Sequence, residues 1–456
     1  MARHAGTEVA PARAAPPLAP RNRRFTELGL LALAWIITTA FYVLAYLGAV
    51  QKMPPQFGVF LAGMILVSLF MHFAVARYAP NSSQVLLPIA TLLNGIGYVE
   101  IARWDPPLAR SQAIWFLVSA VALAFTLKVV RHVRDLDRYR YLTLVGAIGL
   151  LIAPLLPHVG TTVNGARLWI DVGHYAFEPV EFSKILLIIF FASYFAANRE
   201  LLSIPTQRLG PARFVPPKVL VPILAAWGLS IAILGAENDL GFAILIFALF
   251  IALLWVTTGL KSYAALGVGL LIGGAFIADR LFVQVQSRVS EWLNPWSVAN
   301  LNVSHQLAWG WFSIAAGGVT GTGLGLGQSG NIPFITSDMI FAAIAEELGF
   351  LGVILVLCLF AAFVGEGFRI AQRASSDFVR LTATGLTALL GFQAFFIMAG
   401  ILRLLPFTGI TLPFMAYGAN SLVANYLVVA ILLRISDEGN TEKHGGEIVA
   451  VRFPQA

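Results

Sequence analysis

Apolar runs of roughly 17 to 25 residues, separated by short polar segments, repeat along this chain at 28–50, 57–76, 83–102, 111–130, 141–157, 183–197, 218–235, 240–256, 262–278, 340–364, 378–402 and 412–434. A run of that length covers about 30 Å of hydrocarbon as a helix. The pattern therefore predicts an all-α polytopic membrane protein with about twelve transmembrane helices. It divides the chain into a tail at 1–27, a membrane domain at 28–435 and a second tail at 436–456. The tail at 1–27, rich in Ala, Pro and Arg, has no apolar run of its own and is expected to be disordered. No cleavable leader is expected, because the first apolar run already has full spanning length.

An even number of spans puts both termini on one side, and charge decides which. Of the 30 Lys and Arg residues, 22 fall in the set comprising both tails and the segments around Arg77, 128–140, 199–218, Lys261 and 369–380. Seven fall on the opposite side, and Lys184 lies within a span. The excess of positive charge marks the cytoplasmic face, so both termini are expected there. The long segments 158–182 and 279–339 are then external.

Composition agrees and narrows the chemistry. The chain is 58% hydrophobic and 12% charged, with mean hydropathy +0.80, well outside the range of soluble domains. The net charge of +7 is spread over short inter-span segments, which suits orientation in a bilayer and not a nucleic-acid surface. The one cysteine, Cys358, excludes an internal disulfide and a cysteine metal cluster. The seven histidines show no metal-binding spacing.

The remaining polar residues collect at the ends of spans expected to face outward, where an ionisable group is costly and marks function. Glu178-Pro179-Val180-Glu181-Phe182-Ser183-Lys184 runs from an external segment into a span, and Glu181 and Lys184, three apart, share a helix face and can pair. Asp239 stands between two spans too close for a free loop, as an N-cap or a group facing the same cavity as Lys184. Asp338, Glu346 and Glu347 enter the tenth span, where adjacent Glu346 and Glu347 point about 100° apart and at most one is expected to face a cavity. The glycine-rich run Gly317 to Gly327 lacks dinucleotide spacing and reads as a flexible loop or tight backbone packing.

Taken together, Asn164-Gly165-Ala166-Arg167-Leu168-Trp169-Ile170, Glu178 to Lys184, Asn238-Asp239-Leu240-Gly241, Ser337 to Phe341 with Glu346 to Gly349, and Leu412 to Ser421 resemble the SEDS family (shape, elongation, division and sporulation). The two spans beyond that family's usual ten bring the chain nearer its RodA-like members in actinobacteria. The resemblance implies a peptidoglycan glycosyltransferase that polymerises the undecaprenyl-linked precursor lipid II at the outer face of the cytoplasmic membrane, beside a class B penicillin-binding protein. It implies that Arg167, Glu181, Lys184, Asp239, Glu346 and Glu347 bind the substrate, where an arginine suits a diphosphate. No cofactor is evident, and whether a divalent cation is required is left open by the sequence.

One departure bears on catalysis. The family's Asn/Asp-Pro-x-x-Asp-Pro pattern carries an essential second acid, and here 292–302 reads Trp-Leu-Asn-Pro-Trp-Ser-Val-Ala-Asn-Leu-Asn, with no acid. Glu291, Asp338 and Asn300 are the candidate replacements. The alternatives are a catalytically impaired SEDS protein that binds precursor or scaffolds its partner, and a lipid flippase or transporter.

Overall fold

The computed structural model describes residues 24–452 apart from 55, 164, 174, 206, 210, 211, 299 and 301–304; Asn164 and most of the N-terminal tail lie outside the described residues. The helices are α1 (Arg24–Val50), α2 (Phe57–Tyr78), α3 (Leu86–Trp104), α4 (Pro106–Val129), α5 (Arg140–Ile152), α6 (Val180–Ala197), the short α7 (Arg199–Ser203), α8 (Pro217–Ala236), α9 (Leu240–Thr258) and α10 (Lys261–Leu281). After them come α11 (Val283–Leu293), α12 (His305–Gly317), α13 (Ile340–Gln372), α14 (Asp377–Ile401) and α15 (Ala419–Arg452).

Ten helices among the described residues are long and apolar enough to cross a membrane, and the chain is a multi-pass membrane protein. The two other expected spans fall on α3 and α5. α3 carries Glu100 and Arg103 within its last turns, and the 13 residues of α5 rise only about 20 Å, short of the hydrocarbon thickness.

Burial sorts the helices into layers. The most apolar stretches of α14 and α15 are 78% and 83% buried, against 6% for α10; an apolar surface left open in this way faces lipid. α14 packs against α6, α9 and α13, and α15 against α4, which places α6, α14 and α15 at the centre. Local chemistry fixes where several helices start. Asp105 caps α4, accepting from Leu108 N at 3.0 Å with Pro106 in the first turn, and Ser376 caps α14 through Val379 N at 3.3 Å.

The first external segment folds into an antiparallel meander of β1 (Gly160–Val163), β2 (Ala166–Val172) and β3 (Tyr175–Phe177), pairing Gly160 with Ile170 and Ile170 with Phe177. A small hairpin, β4 (Gln207–Leu209) and β5 (Ala212–Phe214), precedes α8. The second segment, 279–339, contains α11 and α12 and so is less a loop than the hydropathy pattern suggested. α15 continues past the expected boundary at 435: Asp437 accepts from Asn81 N at 2.7 Å and Ser436 from Ser83 N at 2.9 Å, fixing the α2–α3 connection.

A break divides α13. Gly349 adopts φ 64° and ψ −160°, a conformation open to glycine, and separates a buried half-helix, Ile340–Leu348, from the long span that follows. The break strands backbone groups on both sides. The glycine-rich run takes them up: Thr322 N donates to Glu346 O at 2.9 Å, Gly323 N to Glu347 O at 3.1 Å, and Phe350 N to Gly318 O at 2.9 Å. A Cβ on Gly321 would lie 2.1 Å from Glu347 O. Close backbone packing thus accounts for the glycines.

Candidate functional site

The polar site lies where β3 feeds α6, under the meander. Pro179, with φ −64°, sets the chain into helix, and one turn later Glu181 and Lys184 meet in a buried ion pair, each 1% exposed. Lys184 Nζ also donates to Gln393 Oε1 of α14 at 2.9 Å and sits 5.3 Å from the centre of the Phe242 ring. Gln393 in turn donates to Thr411 O at 2.9 Å. Asn420, in the motif before α15, donates to Ala176 O at 2.9 Å. Hydrogen bonds thus tie together the neighbourhoods of two sequence motifs, Glu178 to Lys184 and Leu412 to Ser421.

Asp239 arrives on the tight turn between α8 and α9. Asn238, at φ 60°, donates to Gly165 O at 3.1 Å, and Arg167 N donates to Glu237 O at 3.1 Å, fastening the turn to the meander. The capping reading of Asp239 is met in the structure. Its Oδ1 caps α9, accepting from Phe242 N at 3.1 Å, while Oδ2 is buried without a hydrogen-bond partner.

Electrostatics joins Glu178, Glu181, Asp239 and Asp338 with Lys184 and Arg288 in one field. Four carboxyls share two cations, and burial removes the water that would otherwise stabilise their charge. Burial, then the neighbouring Glu181 and Asp239, holds the Glu178 carboxyl well above the usual range. Burial lifts Asp239 to about 7 against the Phe242 amide and Arg288. It lifts Asp338 to about 7 against its Ser337 hydrogen bond and Arg288, and Glu237 to about 8 with help from Asp239. Among the described residues no group of three His, Cys, Asp or Glu side chains is placed to hold a metal.

The other expected site residues make contacts of their own. Arg167 does not reach the Lys184 cluster; its guanidinium donates to Leu156 O at 2.9 Å, because β2 carries it to the end of α5. Glu346 and Glu347 lie on the half-helix, where both are buried and serve the glycine run. Glu347 pairs with Arg103 and accepts from Gly325 N at 2.9 Å, and Glu346 accepts from Gln328 N at 2.8 Å and from Ser329. Arg103 closes this second cluster by donating to Gly327 O at 2.6 Å.

Of the three candidates for the missing acid, Asn300 is committed to its own loop, donating to Asn294 O at 2.7 Å and Ser290 O at 3.0 Å. Glu291 accepts from Ser287 Oγ at 2.7 Å and flanks Arg288. Asp338 alone is coupled to Glu178. Sequence reasoning missed Arg288, which donates to Thr408 O at 2.7 Å, and Gln393. Arg288 stands in an 11-residue helix within a segment expected to be loop, with no motif around it.

Fold and site define the class: a helical multi-pass membrane protein with a buried, carboxylate-rich polar site at the end of the bundle that carries the meander. The model of the cell cycle protein family that embraces FtsW, RodA and SpoVE matches residues 103–441. The peptidoglycan glycosyltransferase RodA of Mycobacterium tuberculosis is 37% identical over 440 residues, covering 94% of this chain and 93% of its own length. The probable peptidoglycan glycosyltransferase FtsW of Geobacter sp. strain M18 is 30% identical over 375 residues, covering 79% and 98%. In fold, the chain is similar to one from a peptidoglycan synthase complex that coordinates polymerization and crosslinking, with TM-score 0.64, 23% identity and coverage of 78% and 98%. The chain belongs to the FtsW/RodA/SpoVE family, the SEDS proteins, with its nearer affinity to RodA.

Proposed function

We propose that this chain is a peptidoglycan glycosyltransferase that polymerises lipid II at the outer face of the cytoplasmic membrane, in cell-wall synthesis. The membrane domain would span 28–435, with both termini cytoplasmic, in keeping with the distribution of Lys and Arg. The observation that carries the reading is the convergence of Lys184 and Arg288 with Glu178, Asp239 and Asp338 beneath the meander. A buried lysine and a half-buried arginine suit a lipid diphosphate, and a carboxyl with a pKa near 7 suits a general base at neutral pH. Asp338 takes the proton from the acceptor sugar hydroxyl, whose oxygen attacks the anomeric carbon of the donor sugar. The bond from that carbon to the diphosphate breaks, and the lipid diphosphate leaves with the electron pair against Lys184 and Arg288. The relatives named for this activity support it. A class B penicillin-binding protein is the proposed partner, supported by the fold shared with the synthase-complex chain.

A second reading, a precursor-binding scaffold with impaired catalysis, is favoured by the loop 292–302, which has no acid and spends the Asn300 amide on its own backbone. Labelled lipid II, supplied with and without the cognate penicillin-binding protein, separates the two. Polymer from the native protein, reduced about 10²- to 10⁴-fold in Asp338→Asn, is the expected result. Bound lipid II with no polymer under either condition would establish the scaffold instead.

A further inference from the structure

A cavity of about 510 Å³ lies between α1, α2, α3 and α4, apart from the Lys184 cluster. Its volume falls within the roughly 300–1,000 Å³ of small-molecule sites. α1, α2 and every lining residue of α3 precede the region matched by the family model, so three of the four walls lie outside it. The wall is aromatic, with Phe60 and Tyr98 stacked at 4.7 Å and Tyr42 4.5 Å from Phe60. Lining residues Val59, Ile114 and Leu117 are 71%, 58% and 49% exposed on the apolar surface of α2 and α4, so the cavity opens sideways into the bilayer.

Two polar features mark it as a built site. Asn94 lines the cavity, is 5% exposed, and its Oδ1 has no hydrogen-bond partner. Ten residues separate it from Trp104 at the end of α3, about 15 Å along the helix, and an orphaned amide among apolar walls is costly. A half-turn exchanges its O and N, so the amide can present either an acceptor or two donors to a ligand. Arg110 is the only charged residue in the lining. It lies within electrostatic reach of the Tyr98 hydroxyl and forms no ion pair among the described residues.

We propose that this cavity holds an anionic phospholipid of the surrounding leaflet, with its phosphate on Arg110, its ester carbonyls along Tyr98 and Asn94, and one acyl chain against Phe60 and Tyr42. The sign of the headgroup follows from a lining with one cation and no carboxylate. The lateral opening suits a ligand that arrives through the membrane. The site is independent of the transferase reading, since it shares no residue with the Lys184 cluster.

Native mass spectrometry of the full chain released from detergent, titrated with phosphatidylglycerol or phosphatidylcholine, tests this. One phosphatidylglycerol per chain should be retained at about tenfold lower lipid concentration than phosphatidylcholine, the margin of a charge-assisted contact. Arg110→Gln, an exposed position, should erase that preference, and Ala113→Trp, which fills the opening from the lipid-facing side of α4, should abolish retention. Unchanged melting temperature and gel-filtration profile confirm that both variants are folded. Equal retention of the two lipids, or native retention in folded Ala113→Trp, would overturn the proposal. So would displacement of phosphatidylglycerol by a polyprenyl phosphate at lower concentration.

Discussion

Replacing Lys184 by methionine removes the cation paired with Glu181, while filling nearly the same space. The variant leaves a carboxylate 1% exposed with no cation, and a Gln393 Oε1 with its 2.9 Å donor gone. Removing one member of a buried pair costs about 3–5 kcal/mol. The lost Gln393 contact is contained in that figure, since one nitrogen serves both partners and the two losses are not additive. Removing both charges is far milder, and buried pairs replaced by matched uncharged groups are often neutral in stability. Lys184→Met should therefore unfold at markedly lower temperature by intrinsic fluorescence in detergent and form no polymer from lipid II. The double variant Glu181→Gln/Lys184→Met should recover its melting temperature and remain inactive. If the double variant regained both stability and polymerisation, the pair would be a brace without a role toward substrate. A single variant as stable as the native protein would refute the burial argument itself.

The base assignment predicts polymerisation that rises with pH through about 7 and then levels off, because Asp338 accepts a proton only when ionised. For stability the sign is opposite: the folded state holds that proton more tightly than the unfolded chain, so its contribution is full below about 3.8 and lost as pH climbs through about 7. Gly321→Ala, at φ 83° and with backbone 2.1 Å from the new Cβ, should lower the melting temperature far more than Gly318→Ala, at φ 52° with open space around it. The latter meets only the roughly 1–2 kcal/mol of a left-handed alanine. In a Cys358→Ser background, needed because Cys358 is exposed, cysteines placed in 131–140 should resist an impermeant thiol reagent and those in 158–173 should react; the reverse pattern would invert the topology.

What the sequence revealed was local. The i,i+3 spacing of Glu181 and Lys184 and the capping position of Asp239 are properties of a few neighbouring residues, and both appear in the structure. The spans were legible where apolarity is continuous, as in α9 and α14; α3 was expected at 83–102 and forms a helix, but Glu100 and Arg103, the latter paired with Glu347, interrupt its apolar stretch. Partners supplied from afar were invisible for the same reason. Nothing around Arg288 signals that Asp239 lies opposite it, and nothing in Gln393 announces a lysine 209 positions earlier. The contacts of Arg167, Glu346 and Glu347 were equally hidden, because order along the chain does not say which polar groups lie together. The glycine run left flexible loop and close packing equally open, and only the break at Gly349 distinguishes them.

The contact between α1 and the glycine run also bears on modularity. A Cβ on Gly48 would lie 2.1 Å from Leu324 O, and one on Gly325 would lie 2.0 Å from Ala45 O, so the two backbones interlock with no side chain between them. An extension that merely adhered to a finished bundle could be excised or transplanted alone. This one is fitted backbone to backbone against a segment nearly three hundred residues downstream, so the N-terminal hairpin 24–78 and the run 318–327 form one structural unit. Chimaeras that exchange both together with a shorter relative should assemble, and those that exchange either alone should not.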